Sequence, residues 1–278
     1  MTSIRQFIED WRVRLQRADV DDSRLNVELL LAHGLGATRG DVRARLDESL
    51  DAEVLERLTV LCERRLKREP VDYIIGHREF YGREFHVEPG VLVPRPETEL
   101  IIDLAKELLP QNASGWAVDV GCGSGVLAVT LALEFPRLRT IAADLYPTPL
   151  KVTGANAERL NARVFRARMD GLSALGGKFE LIVSNPPYVK PEEYPDLERE
   201  VRDHEPEEAL VGGVDGLDVA KRILADVAAR LNPGGHLLME HGMTQGEALR
   251  EAATRAGLAN ARTVKDYAGL DRILVTHA

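Results

Sequence analysis

The chain has 278 residues, 44% of them hydrophobic, which is enough to bury a substantial core in one large domain or in a medium domain joined to a small one. Its formal charge is -9, from 45 acids against 36 bases, which excludes a general affinity for nucleic-acid backbone and leaves room only for a local basic patch. Cys62 and Cys122 stand far apart, and His204, His236 and His241 lack ligand spacing, so neither a disulfide framework nor a metal site is expected.

The first element is an amphipathic helix, with Ile4, Phe7, Ile8, Trp11 and Leu15 on one face and charges on the other. It lacks the apolar core of a signal peptide, and no later run approaches a membrane span, so a cytoplasmic protein with no membrane partner is expected. A second helix follows Asp21-Asp22-Ser23 and ends near His33-Gly34. A third runs from Asp51 to about Arg68, with Val54, Leu58, Leu61, Cys62 and Leu66 inward. The cations Arg64, Arg65, Lys67 and Arg68 at its end suit the helix dipole and leave open a partner-binding role. Residues 1–76 thus form a small helical domain. A hairpin linker is expected over 77–95, with Phe80 to Val87 and Val91 to Val93 flanking a turn at Glu88-Pro89-Gly90. Pro94-Arg95-Pro96-Glu97-Thr98-Glu99 then fixes an extended entry into a helix whose first turn suits Pro96, Glu97 and Glu99.

From 96 to 278 strand and helix signals alternate, which predicts a mostly parallel, doubly wound α/β sheet. Strands are expected at 116–120, 139–143, 164–167, 179–184, 235–240 and 272–276. Between the first strand and its helix lies Gly121-Cys122-Gly123-Ser124-Gly125, preceded by Asp119. Such a turn brings backbone N–H groups close to a ligand. Asp144 ends the second strand, where a carboxylate can take both hydroxyls of a ribose. Asp170, before Gly171-Leu172-Ser173, ends the third at the height of an adenine amino group, or caps the turn that follows. Asn185-Pro186-Pro187-Tyr188 closes the fourth. Two prolines in succession leave bare carbonyl oxygens beside one side-chain amide, a clamp for a planar NH2 group of either an adenine or an amide.

The glycine turn, the ribose acid and Asn185-Pro186-Pro187-Tyr188 together resemble S-adenosylmethionine-dependent methyltransferases that modify planar NH2 groups. Glu69-Pro70-Val71-Asp72-Tyr73, Glu79-Phe80-Tyr81-Gly82 and above all Pro94-Arg95-Pro96-Glu97-Thr98-Glu99 are similar to the glutamine N5-methyltransferases of peptide chain release factors. So are Glu205-Pro206, Asp215-Gly216-Leu217, Glu240 with Gly242 and Gln245, and Lys265-Asp266 through Gly269-Leu270-Asp271-Arg272. The resemblance implies a class I methyltransferase fold, Rossmann-like with a seven-stranded sheet, S-adenosyl-L-methionine as cofactor, and the Gly-Gly-Gln glutamine of a release factor as substrate, with the helical domain recognising it. It implies cofactor binding by Gly121, Cys122, Gly123, Ser124, Gly125, Asp144, Asp170, Gly171 and Asn185. Substrate binding falls to Asn185, Pro186, Pro187 and Tyr188, of which Asn185, Pro186 and Tyr188 are catalytic. Two positions depart from the family pattern: Cys122 replaces a frequent Thr, and Gly171 a frequent aromatic residue, so Gly171 offers only backbone. Leu145 to Leu150 is also proline-rich for a helix start.

An amide nitrogen is a poor nucleophile, so the expected catalysis is geometric. The Asn185 side-chain oxygen and the Pro186 carbonyl oxygen accept its two N–H bonds, while Tyr188 walls one face of the amide. Nine acids against two arginines between Pro191 and Glu208 favour a basic protein substrate over DNA. The alternatives are methylation of a ribosomal-protein glutamine or of a nucleic-acid adenine N6, and a binding module without catalysis.

Overall fold

The computed structural model describes residues 2–172 and 174–278, so the turn expected at Ser173 lies outside the described residues. The chain forms two compact units. One comprises Met1–His77 and Glu198–His204, the other Arg78–Leu197 and Glu205–Ala278.

The first unit is helical: Ile4–Arg17, Ser23–Leu35, Arg39–Ala44, Ala52–Leu66, Val71–Ile75 and the later Arg199–His204. The Ser3 hydroxyl accepts from the Gln6 N–H and caps the first helix, whose apolar stripe packs with Leu30, Leu31, Leu58 and Cys62. Leu66, expected to point inward, is exposed, while Arg65 and Arg68 are buried. Arg65 donates from Nη2 to Glu200 Oε1 (2.6 Å) and from Nε to Asn26 Oδ1 (2.7 Å). Arg68 donates to Glu200 Oε2 and, from Nη1, to the Ala18 carbonyl (3.0 Å). These two cations therefore serve an internal ion cluster, and neither the helix dipole nor an outside partner is needed to account for them. Arg64 pairs with Glu69.

In the second unit the strands are β1 (His77–Phe80), β2 (Arg83–His86), β3 (Gly115–Val120), β4 (Leu138–Asp144), β5 (Val164–Arg168), β6 (Phe179–Ser184), β7 (Leu231–Glu240), β8 (Ala259–Lys265) and β9 (Asp271–His277), with β1 starting at the last residue of the first unit. β1 and β2 make a separate two-stranded sheet. Its turn is Tyr81-Gly82, both at positive φ, and not Glu88-Pro89-Gly90 as expected. The latter is a tight turn closed by the Val91 N–H on the Glu88 carbonyl (3.3 Å). Phe80 and Phe85, edge to face at 6.1 Å, enter the same core as Ile101 and Ile102.

The other seven strands form one sheet in the order β5-β4-β3-β6-β7-β9-β8. The first five are parallel, and β9 runs antiparallel to both β7 and β8. Side chains alternate between two cores, with Leu181 and Val183 in one and Ile182 in the other, or Leu238 in one and Leu237 with Met239 in the other. Parallel strands covered on both faces read as continuous apolar runs, which made them visible in the sequence. β8 lacks that signal. It is an edge strand of half-buried and exposed residues, Ala-Asn-Ala-Arg-Thr-Val-Lys. β3 sits between β4 and β6, so the chain order reverses there and a crevice opens beyond the carboxyl ends of these strands.

Candidate active site

That crevice holds a cavity of about 230 Å³. The loop 121–125 lines it from Gly121 to Ser124. The Gly121 and Cys122 N–H groups donate to the Ala143 carbonyl (2.8 and 3.1 Å), tying the loop to the end of β4. Gly125, at φ 82°, turns the chain into the helix Val126–Glu134, and a side chain there would overlap Thr153. Thr153 donates its hydroxyl proton to the Gly123 carbonyl (3.1 Å), and Asn156 donates to the Ser124 carbonyl (2.9 Å). Both come from the helix Pro147–Arg159, whose prolines sit in its first turn, where no intrahelical N–H is lost. The Cys122 thiol packs against Thr153 Oγ1 at 3.3 Å, and burial pushes its pKa up, so it is a neutral wall.

Asp144 lies beneath this loop. Its Oδ2 accepts from the Gly123 N–H (3.2 Å) and its Oδ1 from the Tyr146 N–H (3.0 Å). Each oxygen keeps a lone pair for a further donor. Burial raises its pKa, against the backbone hydrogen bonds from Tyr146, Gly123 and Leu145. Asp119 is wholly buried. Its Oδ2 accepts from the Ala128 N–H (3.1 Å), while Oδ1 has no partner among the described residues, and burial pushes its pKa up to about 7. Asp170 and Gly171 line the rim. Asp170 Oδ2 accepts from Arg222 Nη1 (3.2 Å), and both side chains are exposed. Sequence reasoning missed the apolar part of the wall, Met169 after β5 with Val219 and Ile223 of the helix Asp218–Arg230.

Asn185, Pro186 and Pro187 line the opposite side, at the end of β6. Asn185 Nδ2 donates to Thr98 Oγ1 (3.2 Å), and the Thr98 hydroxyl donates to Glu240 Oε2 (2.7 Å). Tyr188 does not line the cavity. Its hydroxyl donates to Glu240 Oε1 at 3.4 Å and its pKa is pushed up to about 12 by burial. The Tyr188 ring turns toward β7, where its hydroxyl meets Glu240. The Tyr188 carbonyl accepts from Gln245 Nε2 (2.9 Å), whose Oε1 accepts from the Gly242 N–H (2.9 Å). Side chains at Gly212 and Gly216 would overlap the Pro187 and Tyr188 carbonyls respectively. Thr98 and Glu240 were missed as site residues. The available signal was an acid closing the apolar run Leu237-Leu238-Met239 on the strand beside β6, whose Ser184 is in register with Met239.

Of the nine acids after the motif, two are withdrawn from the surface into internal ion pairs. Glu200 is held by Arg65 and Arg68, and Glu205 accepts from Arg95 (2.7 Å) and from the Val93 N–H (3.2 Å). The remaining seven are exposed, with Glu193 paired to Lys190 and Asp203 to Arg199 and Arg202.

Two family models match: one described as PrmC N-terminal domain over residues 6–76, the other as Methyltransferase small domain over 98–201. A release factor glutamine methyltransferase of Koribacter versatilis is 40% identical over 275 residues, 98% of each chain. One of Geobacter sulfurreducens is 38% identical over 98% of this chain and 95% of its own. The chain belongs to the release factor glutamine methyltransferases. Among solved structures, a methyltransferase from Pyrococcus furiosus superposes with a TM-score of 0.54 at 17% identity, over 80% of this chain and 97% of that one. The 16S rRNA N2 G1207 methyltransferase of T. Thermophilus, in complex with AdoMet and guanosine, gives 0.54 at 22% identity over 72% and 49%. At these identities the likeness concerns the class I methyltransferase fold alone.

A release factor glutamine methyltransferase uses S-adenosylmethionine, and the residues present fit it. Asp144 keeps acceptors for a ribose diol, Asp119 Oδ1 is a buried acceptor without a partner among the described residues and suited to an ammonium group, and Met169, Val219 and Ile223 supply an apolar wall suited to a base. When bound, the cofactor supplies the electrophilic methyl group.

Proposed function

We propose that this enzyme methylates the side-chain nitrogen of the glutamine in the Gly-Gly-Gln motif of a peptide chain release factor, in the cytoplasm. The observation that carries the reading is the placement of Asn185 and Pro186 on the same cavity as Asp144 and the glycine loop. The two acceptors are the Asn185 Oδ1 and the Pro186 carbonyl oxygen, which take the two N–H bonds of the substrate amide. As that nitrogen gives up conjugation and becomes positive, both hold it more strongly than in the ground state, which lowers the barrier. No strong base is needed before attack, since the proton is released only after the new N–C bond has formed. The role of the two prolines is to fix the acceptors with little loss of entropy and to exclude water. The helical unit is the substrate-recognition element of this reading, supported by its match to a family-specific model.

The test is transfer of labelled methyl from S-adenosylmethionine to purified release factor, ribosomal proteins and DNA in parallel. Label is expected in the release factor alone, and Asn185→Ala is expected to abolish transfer while cofactor affinity stays within about three-fold. Label in DNA or in a ribosomal protein but not in the release factor would sink the assignment.

A further inference from the structure

We infer that Thr98 and Glu240 are positioning residues that decide which end of the Asn185 side-chain amide faces the substrate. The inference rests on the clamp proposed above for Asn185. A primary amide presents an acceptor at one end and donors at the other, and only the acceptor can bind an incoming NH2 group. Nothing in the Asn185 side chain itself chooses between the two.

The choice is made by a chain of hydrogen bonds that runs away from the cavity. The Thr98 hydroxyl has one proton, and it is committed to Glu240 Oε2 at 2.7 Å. Thr98 Oγ1 is left as an acceptor, so Asn185 must offer it a donor, and Nδ2 does so at 3.2 Å. Asn185 Oδ1 is then left for the substrate. Thr98 comes from the turn Pro96–Thr98, Glu240 from the end of β7 and Asn185 from the loop after β6, so three distant segments fix one torsion. Thr98 is 3% exposed and Glu240 is 1% exposed, so their hydrogen bond lies in a low-dielectric setting. The second oxygen of Glu240 accepts from Tyr188, which gives that tyrosine a place in the reaction at one remove from the substrate.

The polarity of the chain depends on Glu240 being a carboxylate. A protonated Glu240 can donate to Thr98, whose own proton is then free for Asn185 Oδ1. The amide can then turn its NH2 toward the substrate's NH2. The groups around Glu240 are Thr98, Arg272 on β9, Glu97 beside Thr98, and Tyr188. Burial pushes its pKa up to about 7, the Thr98 bond, Arg272 and the Tyr188 bond lower it, and Glu97 raises it. Arg272 is itself paired with Asp266 (3.1 Å).

The experiment measures methyl transfer to release factor by Thr98→Val, Thr98→Ser, Glu240→Gln and Asn185→Ala, with cofactor affinity by calorimetry and melting temperature for each. Thr98→Val keeps shape and removes the hydroxyl. It is expected to lower kcat about 10- to 100-fold with cofactor Kd within about two-fold, while Thr98→Ser recovers to within about three-fold of the parent. The parent kcat should fall as pH drops through about 7, and Glu240→Gln should lose that acidic limb, because a neutral amide does not titrate. A Thr98→Val enzyme as active as the parent, beside an inactive Asn185→Ala, overturns the positioning role alone. An active Asn185→Ala overturns the clamp instead. Should Thr98→Val fail to fold, the pH profile of Glu240→Gln decides, and an unchanged acidic limb overturns the inference.

Discussion

At the scale of single residues, Asp144 carries the sharpest expectation for the cofactor. Its two oxygens are held by the Gly123 and Tyr146 N–H groups and keep lone pairs toward the cavity. Hydrogen bonds to a charged acceptor contribute roughly 1.5–3 kcal/mol each, so Asp144→Ala should weaken S-adenosylmethionine binding about ten- to a hundred-fold by calorimetry. An unchanged Kd would remove the ribose role. Asp144, Asn185 and the glycine turn were legible because their chemistry sits in short contiguous strings at strand ends. Thr98 and Glu240 were not, because their meaning lies in a hydrogen bond between residues 142 positions apart. The orientation of Tyr188 was hidden for the same reason. Its place in the motif is local, but the direction of its ring is set by Glu240 on another strand.

Among the elements, the helix Arg199–His204 depends on one carboxylate. Glu200 faces Arg65 and Arg68, both almost fully buried in the helical unit. Burial disfavours its charge, yet the hydrogen bond from Arg65 and the charges of Arg65 and Arg68 outweigh this and lower its pKa. Removing one member of such a cluster leaves two cations without their partner, so Glu200→Ala should destabilise the protein by roughly 3–5 kcal/mol in chemical denaturation. Leu66→Ala, at an exposed position, should stay within about 0.5 kcal/mol. Equal effects of the two substitutions would contradict the placement of these side chains. The sequence pattern pointed the other way, since a leucine beside arginines reads as the inward residue. The apolar helical stripe around Leu58 and Cys62 was right in period and lost its direction only at the last turn, where Arg65 finds Asn26 and Glu200. Likewise the hairpin was legible as a pair of short strands, but Pro89-Gly90 outcompeted Tyr81-Gly82 as the evident turn signal.

On the scale of the whole molecule, two of the buried carboxyl groups, Asp119 and Glu240, each have a pKa pushed up to about 7 by burial. Both bind protons more tightly folded than unfolded. The stability they contribute is fully present below the ordinary carboxyl range and is lost as pH rises through about 7. The difference in unfolding free energy between the parent and Glu240→Gln should therefore shift against the parent by roughly 1–3 kcal/mol from pH 5 to pH 8. A flat difference would show that Glu240 titrates near its ordinary value. The apolar runs disclosed the inner parallel strands β3 and β6, since strands covered on both faces have no polar side to confuse the pattern. The edge strand β8 has two half-solvated faces and stayed hidden.

The clamp proposed at the end of β6 takes a glutamine amide as its substrate group. It is tested most directly by mass-spectrometric mapping of a release factor after incubation with the enzyme and S-adenosylmethionine. One added methyl group is expected on the side-chain nitrogen of the Gly-Gly-Gln glutamine, absent with Asn185→Ala. A methyl group found on any other residue, or retained at that glutamine with Asn185→Ala, would contradict it.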